Sequence, residues 1–292
     1  MKKILVPVDF SSHTEITCKY AMELAKAYGA EIHLFHTFFD QIILADTSFP
    51  DTLDMSTIYN EELMKEIFHQ AERNIKELQD KLESQIKKEN LSNVTITTSL
   101  AGGEIEHELK MICNEYHPDM VVMGTRGKGN NIKIWGKVST FIIDHAKVPV
   151  LTLPELKTFR GFKNIMFAAD LNETNALIVS KILDFFKAYS IRLSVVHFLN
   201  KAKVRDEYNL MKGLQSKFAQ EEKQNLILFE MIEYEDDNQK AIDHYVSSNE
   251  IDLIAFHPHK RGLFYMLFTK NITKKNLFAT NIPLLAIPSP KS

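Results

Sequence analysis

The chain has 292 residues, 45% of them hydrophobic and 25% charged, with 10 glycines and 9 prolines, a mix that excludes collagen-like, low-complexity and disordered classes. A formal net charge of -3 provides no global field to draw it onto nucleic acid or an anionic membrane. Cys18 and Cys113 lie far apart without C-x-x-C spacing, so neither a disulfide framework nor a zinc site is indicated, and a reducing cytoplasm is the expected location.

The length favours two domains. Met1-Lys2-Lys3 runs into Ile4-Leu5-Val6-Pro7-Val8-Asp9, whose apolar part is shorter than the core of a secretory signal. No apolar stretch approaches the roughly 20 residues of a membrane span. The run Ile4 to Val8 reads instead as a strand buried on both faces. Ile16, Tyr20, Leu24 and Ala27 then recur on one helix face, and Glu31 to His36 forms a second strand. Asp40 to Tyr59 shows no periodicity and is expected to be a long loop or lid. A long helix is predicted over Glu61 to Lys88, with Leu63, Ile67, Ala71, Ile75, Leu78 and Leu82 inward. A weaker strand at Val94 to Thr97, a helix at Ile105 to Tyr116, a strand at Asp119 to Met123, a helix at Ser139 to His145 and a strand at Val148 to Leu153 complete the alternation.

The second half repeats the first. Ile4 matches Ile165 and His36 matches His197 at one offset of 161, so two strands and the helix between them keep register. Asp119-Met120-Val121-Val122-Met123 matches Asp252-Leu253-Ile254-Ala255-Phe256 at an offset of 133, and Pro149 matches Pro283 at 134. The second copy is therefore shorter in its middle. The joint falls in Glu155 to Gly161, giving domains 1–154 and 162–289. The expected fold is α/β: two tandem, doubly wound, open parallel five-stranded sheets of Rossmann-like type.

Open α/β sheets bind ligands beyond the carboxyl ends of their strands, where strand order reverses. Asp9, Thr37 and the run Gly124-Thr125-Arg126-Gly127-Lys128-Gly129 occupy such ends. That run holds three of the ten glycines within six residues. Glycines let backbone N–H groups close on an anion, and a following helix turns its positive end toward it. A plain turn accounts for the same glycines. Neither a Walker A loop nor a dinucleotide fingerprint after the first strand is present.

Gly124-x-x-Gly127, a spacer, Gly136, and a short helix ending in His145-Ala146-Lys147-Val148-Pro149-Val150-Leu151 together resemble the universal stress protein family in its adenine-nucleotide-binding branch. Val6-Pro7-Val8-Asp9-Phe10-Ser11 fits the same pattern, and the likeness covers the chain as two copies. The resemblance implies an adenine-nucleotide alpha-hydrolase-like fold, and ATP or AMP, with magnesium as an accompanying ion, in the first copy. It further implies a non-enzymatic or very slowly hydrolysing role in stress tolerance. Carried over by position, Asp9 and Thr37 hold the adenine and ribose, Met123, Gly124, Arg126 and Gly127 line the pocket, and Gly136, Lys137 and Ser139 meet the phosphates. Two departures stand out: the spacer Lys128 to Trp135 is one residue shorter than the family's, and Lys137 replaces a hydroxyl residue, leaving a point charge without its hydrogen bond.

In the second copy His257, Lys260 and Lys270 stand where Gly124, Gly127 and Gly136 stand in the first. No nucleotide is expected there, and His257, His259, Lys260 and Arg261 read as an exposed basic turn, or as a receiver for an anion or an acidic partner. His36 and His197, at matched strand positions, read as packing residues. Family members pair through their last strand, which implies that the two copies pair about a pseudo-twofold axis, with a homodimer as a further assembly. Two rival functions remain: an interaction module with vestigial sites, and an adenine-nucleotide hydrolase, for which no catalytic constellation is visible.

Overall fold

The computed structural model describes residues 1–38, 61–125, 137–154, 159, 161–200, 204–234, 238–258 and 282–288. The expected lid at Asp40 to Tyr59 and most of the joint lie outside them. The first repeat contributes β1 (Lys3–Pro7), α1 (Ser12–Tyr28), β2 (Glu31–Thr37), α2 (Glu61–Lys88), β3 (Thr95–Ala101), α3 (Ile105–Tyr116), β4 (Met120–Gly124), α4 (Lys137–His145) and β5 (Val150–Leu153). From the second come β6 (Asn164–Ala168), α5 (Asn175–Phe185), β7 (Arg192–Asn200), α6 (Val204–Ser216), α7 (Ala219–Lys223), β8 (Ile227–Tyr234), α8 (Asn238–Ser248), β9 (Leu253–Phe256) and β10 (Leu284–Ala286). Among the described residues no helix is long and apolar enough to cross a membrane.

The chain forms two compact units, the first running to Ala146 and the second from Lys147. The first holds strands in the order β3-β2-β1-β4, all parallel. The second holds β5-β10-β9-β6-β7-β8, parallel except for β5 against β10. β5 therefore belongs to the first repeat in sequence and to the second unit in space. Its register, Thr152 opposite Leu284 and Val150 opposite Ala286, is reinforced by the Thr152 hydroxyl donating to Leu284 O at 3.2 Å.

Ile4, Leu5 and Val6 have no exposed surface, as the unbroken apolar run requires of a strand covered on both faces. α1 begins at Ser11, whose backbone is extended and whose Oγ accepts the His13 N–H, and ends at Gly29, whose φ of 62° a side chain would resist. Its buried stripe is Ile16, Tyr20 and Leu24, with Ala21 and Ala25 beside them. Ala27, expected inward, is exposed in the last turn of the helix. On α2, Ala71, Ile75 and Leu82 are buried, but Leu63 is 41% exposed. The third strand starts at Thr95 and runs on through Thr97, Thr98 and Ser99 to Ala101, pairing with β2 along its whole length. Polar side chains are tolerated there because β3 is an edge strand. α4 starts two residues before the expected Ser139.

At the amino ends of the strands each unit carries a clamp of the same kind. Asp119 Oδ2 accepts the N–H groups of Lys2 and Lys3 at 2.5 and 3.0 Å, and Asp252 Oδ2 accepts those of Lys163 and Asn164, both at 3.0 Å. Each aspartate then donates its own N–H to the neighbouring strand, Asp119 to Lys3 O and Asp252 to Asn164 O, both at 2.8 Å.

Candidate functional site

In the first unit β1 lies between β2 and β4: the chain leaves β1 toward β2 and β3 and returns to β4 on the other side of β1. Such a reversal of strand order is where open α/β sheets bind ligands, at the carboxyl ends of the strands. Asp9, Thr37, Met123 and Gly124 come from the ends of β1, β2 and β4, so the sheet brings four of the sequence-predicted residues to one rim. Met123 and Thr37 are buried, and Thr125, which the sequence reading did not single out, is buried beside them. Ser139 is buried in the first turn of α4. The backbone of Lys137 opens that helix, while Arg126, Gly127 and Gly136 lie outside the described residues.

Asp9 is held by its own loop. Its Oδ1 accepts from the Ser11 N–H at 3.0 Å, the Ser11 hydroxyl at 2.7 Å and the Thr14 hydroxyl at 3.1 Å. The carboxylate thus sits at the amino end of α1, where the helix dipole favours negative charge. Between Asp9 and Ser11, Phe10 takes the left-handed conformation at φ 57° and sets its ring 4.5 Å from His36. His36 Nδ1 donates to Val8 O at 2.7 Å, which fixes the end of β1 against β2. No sequence signal marks Phe10 for this turn, since left-handed backbone is rare outside glycine, asparagine and aspartate.

The second unit builds the same elbow and closes it differently. Ala169 donates to Val196 O, Leu171 has φ 58°, and His197 Nδ1 donates to Ala169 O at 2.8 Å. The packing role read for the matched pair His36 and His197 is what both imidazoles perform. Asp170, however, is bonded at both oxygens: Oδ2 accepts Asn172 Nδ2 at 2.5 Å, and Oδ1 accepts from Asn175 Nδ2. Asn175 is fully buried and also accepts the Leu171 N–H at 3.0 Å.

His257 corrects one expectation. It is 5% exposed and donates from Nδ1 to Ile287 O at 2.6 Å, so it is a buried bridge to the end of β10 and not part of an exposed basic turn. Its neighbours His259, Lys260 and Arg261 lie outside the described residues. Where Gly124 ends β4 with no side chain, the corresponding end of β9 is filled by an imidazole.

Comparison with known proteins agrees with this architecture. A universal stress protein MJ0531 from Methanocaldococcus jannaschii is 27% identical over 161 residues, covering 53% of this chain and 84% of that protein. A universal stress protein from Archaeoglobus fulgidus superposes with a TM-score of 0.72 at 16% identity, over 99% of this chain and 97% of its own. A putative universal stress protein from Pseudomonas aeruginosa follows at 0.62 and 13% identity, over 99% and 94%. At such identities the structural likenesses speak for the fold alone. The model of the universal stress protein family matches residues 1–154, more than half of the sequence, and the chain belongs to that family.

Proposed function

We propose that the repeat 1–154 binds one adenine nucleotide, ATP or AMP, and that the repeat 162–289 is structural, within a protein of the stress response. The observation that carries this reading is the placement of Asp9, Thr37 and Gly124 around the β1/β4 switch point, with Asp9 already oriented by three hydrogen bonds. A carboxylate acceptor and a hydroxyl at one rim suit the amine and ribose hydroxyls of a nucleoside. Gly124 permits the close backbone approach that His257 denies in the other repeat. Arg126 and Gly127 would line the pocket, Gly136, Lys137 and Ser139 would meet the phosphates, and magnesium would accompany them. Nucleotide occupancy without turnover is the expected activity, in a cytoplasmic protein.

The test is calorimetric titration of ATP and of AMP, with magnesium, into the full chain. One site per chain is expected. Gly127→Val should abolish binding, Asp9→Ala should weaken it about tenfold, and Asp170→Ala should leave it unchanged, with thermal melts confirming that each variant folds. Absence of binding to the unsubstituted chain would sink the proposal and favour an interaction module. ATP turnover lost in Asp9→Ala would instead make the protein a hydrolase.

A further inference from the structure

On the other flank of the first unit, β2 and β3 run parallel with His33 opposite Thr97 and Phe35 opposite Ser99. Alternation along the strands puts Glu31, His33, Thr97 and Ser99 on one face. His33 Nε2 lies 2.7 Å from Ser99 Oγ, and His33 Nδ1 lies 2.8 Å from Thr97 Oγ1. The Thr97 hydroxyl donates to Glu31 Oε1 at 3.0 Å. These three bonds have one consistent direction. A carboxylate only accepts, so the single hydroxyl proton of Thr97 goes to Glu31 and its oxygen receives the Nδ1–H of His33. A neutral imidazole then carries its lone pair on Nε2, aimed at the hydroxyl proton of Ser99.

The surroundings hold that tautomer. Tyr116 from α3 donates to Glu31 Oε1 at 2.7 Å, and its ring lies 4.6 Å from the His33 ring at 30°. Lys3 from β1 sits over the same tyrosine, 4.6 Å from the ring centre. Burial pushes His33 below its ordinary 6.5, with Glu31 opposing and Lys3 assisting, so the imidazole is a free base at neutral pH. Ser99 is half-buried on the edge strand.

We propose that Ser99 is a base-activated nucleophile that accepts an acyl group from an activated carboxylic ester, with His33 as general base and Thr97 and Glu31 as positioning residues. Ser99 Oγ attacks the ester carbonyl carbon while its proton passes to His33 Nε2. The bond from that carbon to the alcohol oxygen breaks, the departing oxygen takes the proton from Nε2, and acyl-Ser99, a free alcohol and neutral His33 remain. This chemistry is independent of the crevice at Asp9.

The probe is p-nitrophenyl acetate added to the full chain near neutral pH, with nitrophenolate release followed and the acetyl group mapped by peptide mass. Two exposed serines of the same unit, Ser92 and Ser84, whose hydroxyl donates to Asp80 O, are internal controls. Acetylation of Ser99 at least about tenfold faster than of either control is expected, falling about a hundredfold in His33→Gln. Ser99→Ala should remove the labelled peptide. Thr97→Val should displace the pH profile of acetylation, and Thr97→Ser should restore it, which a purely structural hydroxyl would not do. Equal labelling of Ser99, Ser84 and Ser92 in the unsubstituted chain overturns the proposal without reference to how any variant folds. A rate unchanged in folded His33→Gln overturns it as well.

Discussion

The amino ends of the strands are alike in the two repeats and the carboxyl ends are not. Asp119 and Asp252 clamp the starts of their neighbouring strands with the same bonds. At the other end, Asp9 accepts from hydroxyls and an amide of its turn, whereas Asp170 accepts from the side-chain amides of Asn172 and Asn175. Gly124 likewise faces His257. A duplicated sheet has kept the bonds that align its strands and changed the bonds at their carboxyl ends, on one scaffold.

The largest test of this contrast is Asn175→Ala. It removes a fully buried side chain that bonds Asp170, Asn172 and the Leu171 amide, and leaving those partners unsatisfied should cost about 2–3 kcal/mol. Urea denaturation measures the loss. If Asn175→Ala costs no more than a surface substitution, the second crevice is not closed by its own loop. Next in size, Asp119→Ala and Asp252→Ala should each cost about 1 kcal/mol, since charged acceptors are lost from amide pairs near the surface. Thermal melts should show matched decrements; unequal ones would mean that the clamps are alike only in geometry.

The smallest effect is acid sensitivity. At the position of His33 the second repeat has Ser194, so the titration belongs to the first unit. The folded value of His33 is depressed, chiefly by burial, so below its ordinary 6.5 the unfolded chain takes up protons first. Stability from keeping His33 neutral is complete above that value and is lost as the pH falls through the folded one. Melting temperature against pH should slope downward on the acid side in the unsubstituted chain and flatten in His33→Gln. Identical slopes would place the acid sensitivity elsewhere.

Much of this architecture is legible in the residues. Ile4-Leu5-Val6 announces a buried strand because no polar side chain interrupts it, and the long helix runs over Glu61–Lys88 as its periodicity predicts. The second half of β3 was hidden because Thr97, Thr98 and Ser99 carry no apolar alternation, and an edge strand needs none on its open side. Asp9, Thr37 and Gly124 stand at the carboxyl edge of the sheet, where the strand ends put them. The elbows escaped notice because left-handed Phe10 and Leu171 are imposed by the strand-to-helix connection and not by their own preference. His257 was misjudged because its cationic neighbours suggested a wet turn, while the carbonyl that draws it inward belongs to Ile287, thirty residues away.

The seam of the molecule does not coincide with the seam of its sequence. β5 closes the first repeat yet pairs antiparallel with β10. Severing the chain in the joint between the repeats would leave a ladder edge on each fragment, one presenting Val150 to Leu153 and the other Leu284 to Ala286. Such edges recruit whatever strand they meet. Expressed alone, each fragment should self-associate, and expressed together they should find each other. The protein is thus a natural candidate for split-reporter engineering.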